Sequence, residues 1–152
     1  MEIFVLNDAV THLELALPSS QGEARLTQLI ELAWHLRQRN TNRALALADE
    51  AEACLSATKD YEPEHGQEYE PEHVHEPRPE RQAAFFRARL QLIRAEAKWL
   101  HGDLDSSWQL VQAALAGFTA QQDAIGISDA HWVLAAIETD RGNMEQQCQA
   151  LL

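Results

Sequence analysis

Residues 99–104, Trp-Leu-His-Gly-Asp-Leu, place a glycine–aspartate pair between two stretches with apolar residues at helical spacing. A related stretch, Thr-Asp-Arg-Gly-Asn-Met, follows 40 residues later at 139–144, and the same shift superimposes Ala95 on Ala135 and Trp108 on Cys148. Self-similarity at a fixed spacing of this length is typical of stacked helical repeats. This pattern predicts an all-α chain built from antiparallel helical hairpins.

An earlier copy of the unit precedes these two. Leu29, Ile30 and Ala48 match Leu92, Ile93 and Val111 at a shift of 63 rather than 40 residues. The difference of 23 residues is the length of an acidic segment between the first two copies. We therefore predict three helix-turn-helix units, at about 22–57, 81–119 and 122–152, with an insert at 58–80. A weaker apolar pattern predicts a further helix over residues 7–17, ended by Pro18.

The insert differs sharply in composition from the units around it. Residues 60–80 hold eight acidic side chains and one basic one, together with four of the five prolines in the chain. The motif Tyr-Glu-Pro-Glu-His occurs at 61–65 and again at 69–73. A segment with so few apolar residues cannot offset the entropy cost of ordering. We expect an exposed, largely disordered loop.

Composition and charge narrow the functional classes. The 152 residues are 45% hydrophobic and carry a net charge of −12, which disfavours nucleic acid and anionic membrane surfaces as partners. We expect neither a membrane span nor a signal peptide, because no apolar run reaches the necessary length. Two cysteines are too few for a disulfide framework, so a cytoplasmic location is expected.

The repeating units resemble the tetratricopeptide repeat family. Ala95 and Ala135 stand at the small position of the first helix of a unit, and Gly102-Asp103 and Gly142-Asn143 stand at the turn. The first unit departs from this pattern, since Arg39-Asn40 replaces the glycine pair, and the period exceeds the ~34 residues usual in the family. The resemblance implies one domain over residues 1–152, a right-handed superhelix of stacked hairpins.

A narrower resemblance involves residues 29–40 and 43–51, which look like the opening repeat of the tetratricopeptide regions that precede GGDEF diguanylate cyclase domains in bacterial signalling proteins. The chain contains no GGDEF motif. The resemblance therefore implies a non-catalytic sensory or regulatory module in the N-terminal part of such a protein. A free-standing adaptor is the alternative, and a homodimer through the C-terminal hairpin is a further expectation.

In this family the first helices of the units line a concave groove that receives a protein or peptide partner. The resemblance assigns eight residues to that groove: Arg89, Leu92, Glu96, Trp99, Asp129, Trp132, Ala136 and Asp140. Trp34 and Trp108 fall on the stripes expected to pack inside the hairpins. Aromatic anchors beside charged side chains are typical of surfaces that bind peptides or partner helices.

The residues bear on two other classes of function, metal binding and catalysis. His65, His73 and His75 of the insert, with neighbouring glutamates, could chelate a divalent metal ion, which makes a metal-binding protein the second hypothesis. A Pro/Glu-rich loop does not supply the fixed geometry of a specific site, so adventitious binding is the simpler interpretation. No nucleophile motif, phosphate-binding loop or dinucleotide motif is present. We expect no catalytic residues and no cofactor.

Overall fold

The computed structural model describes the backbone of residues 2–57 and 78–150, and the side chains of residues 8–56 and 80–144. These residues form α1 (Glu2–Ala16), α2 (Gly22–Leu36), α3 (Thr41–Ala57), α4 (Arg78–Leu100), α5 (Leu104–Gln121) and α6 (Ala124–Ala150). A short 3-10 turn at Leu17–Ser19 follows α1. No strand occurs in the described part of the chain. The predicted all-α fold class is confirmed.

Two pairs of successive helices form hairpins. Helices α2 and α3 form the first, and α4 and α5 the second. The turn of the second uses Gly102, whose φ of +81° suits glycine, and the Asp103 amide donates to the Lys98 carbonyl at 2.9 Å. Asp103 then caps α5 by accepting from the Ser106 amide at 3.2 Å. Hydrogen bonds from Ser106, helped by Lys98, lower the pKa of the Asp103 carboxyl.

The helices form two layers. Each helix from α2 to α6 packs against the next, and α2–α4 and α4–α6 are also neighbours. Among the described residues, α3 and α5 make no such contact. Helices α2, α4 and α6 therefore lie side by side in one layer, with α3 and α5 separated in the other.

The core has two parts, and α4 belongs to both. One cluster joins α2 and α3 to Leu90 and Ile93 of α4. The other joins Leu92 and Ala95 of α4 to α5 and α6. Two apolar faces on one helix predict neighbours on both sides, and α4 has them. Trp34 packs against both clusters, so the indole lies at the junction of the two parts of the core.

The third unit differs from the prediction. The sequence pattern placed a turn at Gly142-Asn143 and a last helix after it, but α6 runs unbroken from Ala124 to Ala150. Each residue that continues a helix adds one backbone hydrogen bond. A turn is favourable only where the helix that follows it can bury an apolar face against its neighbours. A glycine in a helix costs only about 1 kcal/mol. In place of the hairpin expected at 122–152, which was also assigned to a homodimer, residues 124–150 form a single long helix.

Two other boundaries differ as well. The first helix begins at Glu2 and ends at Ala16, against a prediction of residues 7–17. Helix α4 begins at Arg78, within the last residues assigned to the insert. The rest of that insert, including the two Tyr-Glu-Pro-Glu-His motifs, lies outside the described residues.

Candidate partner-binding groove

All eight residues assigned to a groove lie on α4 and α6, in the layer that these helices form with α2. On α6, Asp129, Trp132, Ala136 and Asp140 follow one another at intervals of three and four residues and so share one face of the helix. That face is turned toward α4, because Asp129 and Asp140 bond to side chains there. We use "the inner groove" for the surface that these residues form with Trp34 of α2 and with Arg37, which directly follows α2.

Arg89 connects α4 to α6 across the groove. Its Nη1 donates to Asp129 Oδ2 at 2.7 Å, and its Nη2 lies 3.6 Å from Asp123 Oδ2. The guanidinium carbon also lies 5.3 Å from the centroid of the Trp34 ring and 5.1 Å from that of Phe118. The side chain is only 15% exposed. Arg89 therefore links α4 to three other helices, α2, α5 and α6, through an ion pair and cation–π contacts.

Glu96 is a fully buried carboxylate held by α2. Arg37 Nε donates to Glu96 Oε2 at 2.6 Å, and the Gln38 side-chain amide donates to Oε1. The Arg37 guanidinium stacks 3.6 Å above Trp34 and donates to the Trp34 carbonyl. A buried carboxylate needs this kind of pairing, because its desolvation is otherwise costly. The cluster joins the residues that directly follow α2 to the C-terminal part of α4.

Two tryptophans face each other where α4 and α6 meet. Trp99 Nε1 donates to Asp140 Oδ2 at 2.7 Å, which fixes the Trp99 indole. Trp132 packs edge-to-face on Trp99, with ring centroids 6.1 Å apart and an interplanar angle of 87°. Although held in this way, Trp132 is 55% exposed. It presents a large apolar surface at the mouth of the groove.

Small cavities follow one another along the inner groove. One of about 250 Å³ is lined by Trp34, Glu96 and Trp132, among others. A neighbour of about 430 Å³ shares Trp34 with the first and reaches Ile125, which is 70% exposed. A third, of about 330 Å³, lies between Trp99 and Met144. From Ile125 to Met144 the groove therefore follows α6 for about 28 Å, at ~1.5 Å per residue.

Comparison with family models, with curated proteins and with solved structures found no match.

Most of the assigned groove residues do come together. The side chains of six of them form the contacts described above: Arg89, Glu96, Trp99, Asp129, Trp132 and Asp140. Ala136 is half-buried on the same face of α6. Leu92 and Glu96 are corrections, because both are fully buried and offer no surface to a partner. Leu92 lies in the cluster with α5 and α6, and both oxygens of Glu96 accept from Arg37 and Gln38. Leu92 shares the face of α4 that carries Arg89 and Glu96, three and four residues away, but its side chain is covered by α5 and α6.

Three groove residues were missed from the sequence. Trp34 was expected only inside a hairpin, yet it is half-buried and lines two of the cavities. Arg37 and Gln38 lie just after α2, where the helical pattern assigns no face. The signal available in the sequence was the spacing of Trp34 and Arg37, which are one helical turn apart, so that the arginine can stack on the indole.

The metal-binding hypothesis stays a prediction, because its histidines are not among the described residues. No group of three or more histidine, cysteine, aspartate or glutamate side chains with metal-binding geometry occurs among them. His65, His73 and His75 lie outside that part of the chain. No described helix combines the length and the hydropathy needed to cross a membrane.

Proposed function

We propose that this chain is a non-catalytic protein-interaction module of tetratricopeptide type, which receives a segment of a partner protein in the inner groove. One observation carries the proposal: Trp132 is 55% exposed while being held rigidly against Trp99 beside a cavity of about 250 Å³. Exposed tryptophans with fixed orientation are frequent anchors of protein interfaces.

The contacts around Trp132 reduce the cost of binding. Asp140 fixes Trp99, and Trp99 supports the Trp132 ring from the side. The anchor therefore loses little conformational freedom when a partner covers it. The adjacent cavity, bordered by Trp34 and Val133, is large enough for an apolar side chain of the partner. Binding there would remove the indole surface from water, which is favourable.

The charged groups of the groove favour binding over catalysis. Arg89 is paired with Asp129, and Arg37 is paired with Glu96. Each basic side chain is thus neutralised by an acid on another helix, an arrangement that holds helices together. These pairs connect α2, α4 and α6, so a partner that displaces one of them changes the angle between neighbouring hairpins. Such a change is how the module would transmit a signal.

The resemblance to tetratricopeptide regions of bacterial signalling proteins suggests where the module works. We propose that it forms the N-terminal regulatory part of a cytoplasmic signalling protein such as a diguanylate cyclase. The alternating inner and outer helices and the glycine–aspartate turn at 102–103 support the repeat assignment. A free-standing adaptor would use the same groove.

Selection from a displayed library of random peptides tests the proposed function. The wild-type protein should enrich peptides that bind about 30-fold more weakly after Trp132→Ala, which corresponds to the ~2 kcal/mol of an interface anchor. His131→Ala is the matched control, because His131 is the adjacent exposed residue on α6 and lies away from the groove face. Circular dichroism checks that both variants remain helical. Failure to enrich peptides, or equal binding by both variants, would overturn the proposal.

A further inference from the structure

Two carboxylates of the inner groove retain binding capacity. Asp129 Oδ2 accepts from Arg89, and Asp140 Oδ2 accepts from Trp99. Among the described residues, the Oδ1 atom of each carboxylate accepts no hydrogen bond from a side chain. Asp129 is 32% exposed, and Asp140 is partly exposed. A carboxylate oxygen can accept more than one hydrogen bond, so both groups can receive a donor from outside.

The remaining charge of the groove is negative. Both of its arginines are already paired, Arg37 with Glu96 and Arg89 with Asp129. Asp140 has the neutral Trp99 indole as its partner, and Glu31 lies exposed at the rim of the 430 Å³ cavity. The whole chain carries a net charge of −12. A cationic segment is therefore attracted to this surface, and an anionic one is repelled.

The spacing of the two carboxylates favours a helical partner. Asp129 and Asp140 are eleven residues apart on α6, which is three helical turns and about 16 Å. A partner helix lying along α6 presents side chains at the same spacing from residues eleven apart on one of its own faces. An extended chain covers that distance in about five residues at ~3.3 Å each, and an odd interval directs the two side chains to opposite faces.

Between the carboxylates the groove is apolar. Trp132 and Ala136 lie at the two intervening positions of the same face. Taken in order along α6, the face presents an acid, an aromatic ring, a small residue and an acid. The complement of this order is a cation, two apolar positions and a cation on one face of a helix.

Building on the proposed function, we infer that the segment bound in the inner groove is a basic amphipathic α-helix, with two lysine or arginine side chains eleven residues apart that bind Asp129 and Asp140 on either side of an apolar contact with Trp132.

Three synthetic peptides of eighteen residues test this inference by fluorescence anisotropy against the full chain. The first is a Leu/Ala/Gln helix with two lysines eleven positions apart on its leucine face. The second replaces both lysines with glutamate, and the third places them six positions apart, off that face. We expect the first peptide to bind at least tenfold more tightly than either of the others, and to gain helicity on binding.

Variants of the protein locate the effect. Asp129→Asn and Asp140→Asn each remove one negative charge while keeping an acceptor for Arg89 and for Trp99. Each variant should bind the first peptide with about fivefold lower affinity, which is the loss expected for a partly exposed ion pair. Glu138→Gln removes the same charge from α6 away from the groove face and should leave binding unchanged. If Asp129→Asn loses helicity, Asp140→Asn alone carries this comparison, since Asp140 bonds only to Trp99 among the described side chains.

The outcomes separate this inference from the proposed function. Equal binding of all three peptides, tighter binding of the acidic one, or equal losses in Glu138→Gln and Asp140→Asn would overturn the basic-helix inference. Absence of binding by all three would also overturn it. The proposed function would survive each of these results as long as the library yields peptides that depend on Trp132.

Discussion

Glu96 shows how a single residue can hold the groove in shape. Its carboxylate has no exposure to solvent and receives donors from Arg37 and Gln38 of the neighbouring hairpin. A carboxylate in this position stabilises the fold only while both donors are in place, because its own desolvation is costly. The same cluster holds the Arg37 guanidinium on the Trp34 ring and so shapes the floor of the first cavity.

Removal of this carboxylate should be costly. We expect Glu96→Ala to lower the free energy of unfolding by about 2–4 kcal/mol, because two donors lose their acceptor, and Glu96→Gln by about 1 kcal/mol, because the amide retains one. Urea denaturation measures both. Asp49→Ala is the comparison, since Asp49 pairs with Arg94 at a side-chain exposure of 72% and should cost less than about 1 kcal/mol. Equal losses in Glu96→Ala and Asp49→Ala would contradict this account.

At the scale of residues, the sequence predicted the groove in part. Helical spacing was enough to place Asp129, Trp132 and Asp140 on one face of α6. Spacing along α4 did not reveal that Leu92 points into the core, because α4 is apolar on both sides. The pairing of Glu96 with Arg37 joins residues 59 positions apart. No local pattern reports such a contact, since it depends on how two hairpins pack.

At the scale of elements, the similar sequences Gly102-Asp103 and Gly142-Asn143 adopt different structures, a turn between α4 and α5 in the first case and continuous helix in α6 in the second. At Gly102-Asp103 the chain turns, Asp103 caps α5, and α5 buries Val111 and Phe118. At Gly142 the chain continues as helix. A glycine followed by Asp or Asn permits a turn but does not require one. The result depends on whether the next segment packs, which a 40-residue repeat pattern alone does not determine.

Two glycines of α6 provide a matched test of this assignment. A Cβ at Gly142 meets nothing within 4 Å, so Gly142→Ala should raise the free energy of unfolding by up to about 1 kcal/mol through helix propensity. A Cβ at Gly126 would overlap the buried Phe118 ring and lie 2.5 Å from Asp123 Oδ2. Gly126→Ala should therefore lower stability by about 1–3 kcal/mol, the usual cost of overpacking. Thermal unfolding followed by circular dichroism compares the two variants.

The opposite result at Gly142 would be informative. A turn at this position places glycine at positive φ, where alanine is strained, so Gly142→Ala would then be destabilising. A lower melting temperature in that variant would contradict the continuous α6 and restore the predicted third hairpin.

At the scale of the whole molecule, the two parts of the core are joined by α4 and by Trp34. In stacked repeats, each unit is stabilised mainly by its neighbours, so the strength of the shared helix decides whether the units unfold together. Here α4 contributes buried residues to both clusters, and Arg89 and Glu96 add ion pairs from α4 to α6 and from α2 to α4. Because both core clusters share α4, we expect the described helices to unfold as a single cooperative unit.

A pair of core substitutions, one in each cluster, tests this cooperativity. Leu29→Ala acts in the first cluster and Val111→Ala in the second, and both residues are almost fully buried. We expect losses of about 2–5 kcal/mol for the leucine and a smaller loss for the valine, because fewer methyl groups are removed. In each variant, far-UV circular dichroism and tryptophan fluorescence should report one coincident urea transition, shifted as a whole, because destabilising either cluster weakens α4 for the other. Leu15→Ala is the control, since Leu15 is 77% exposed and its truncation should shift the transition very little. Two separate urea transitions, only one of which shifts in each core variant, would show that the hairpins unfold independently. The groove between α2 and α6 would then lack the rigidity that its proposed role requires.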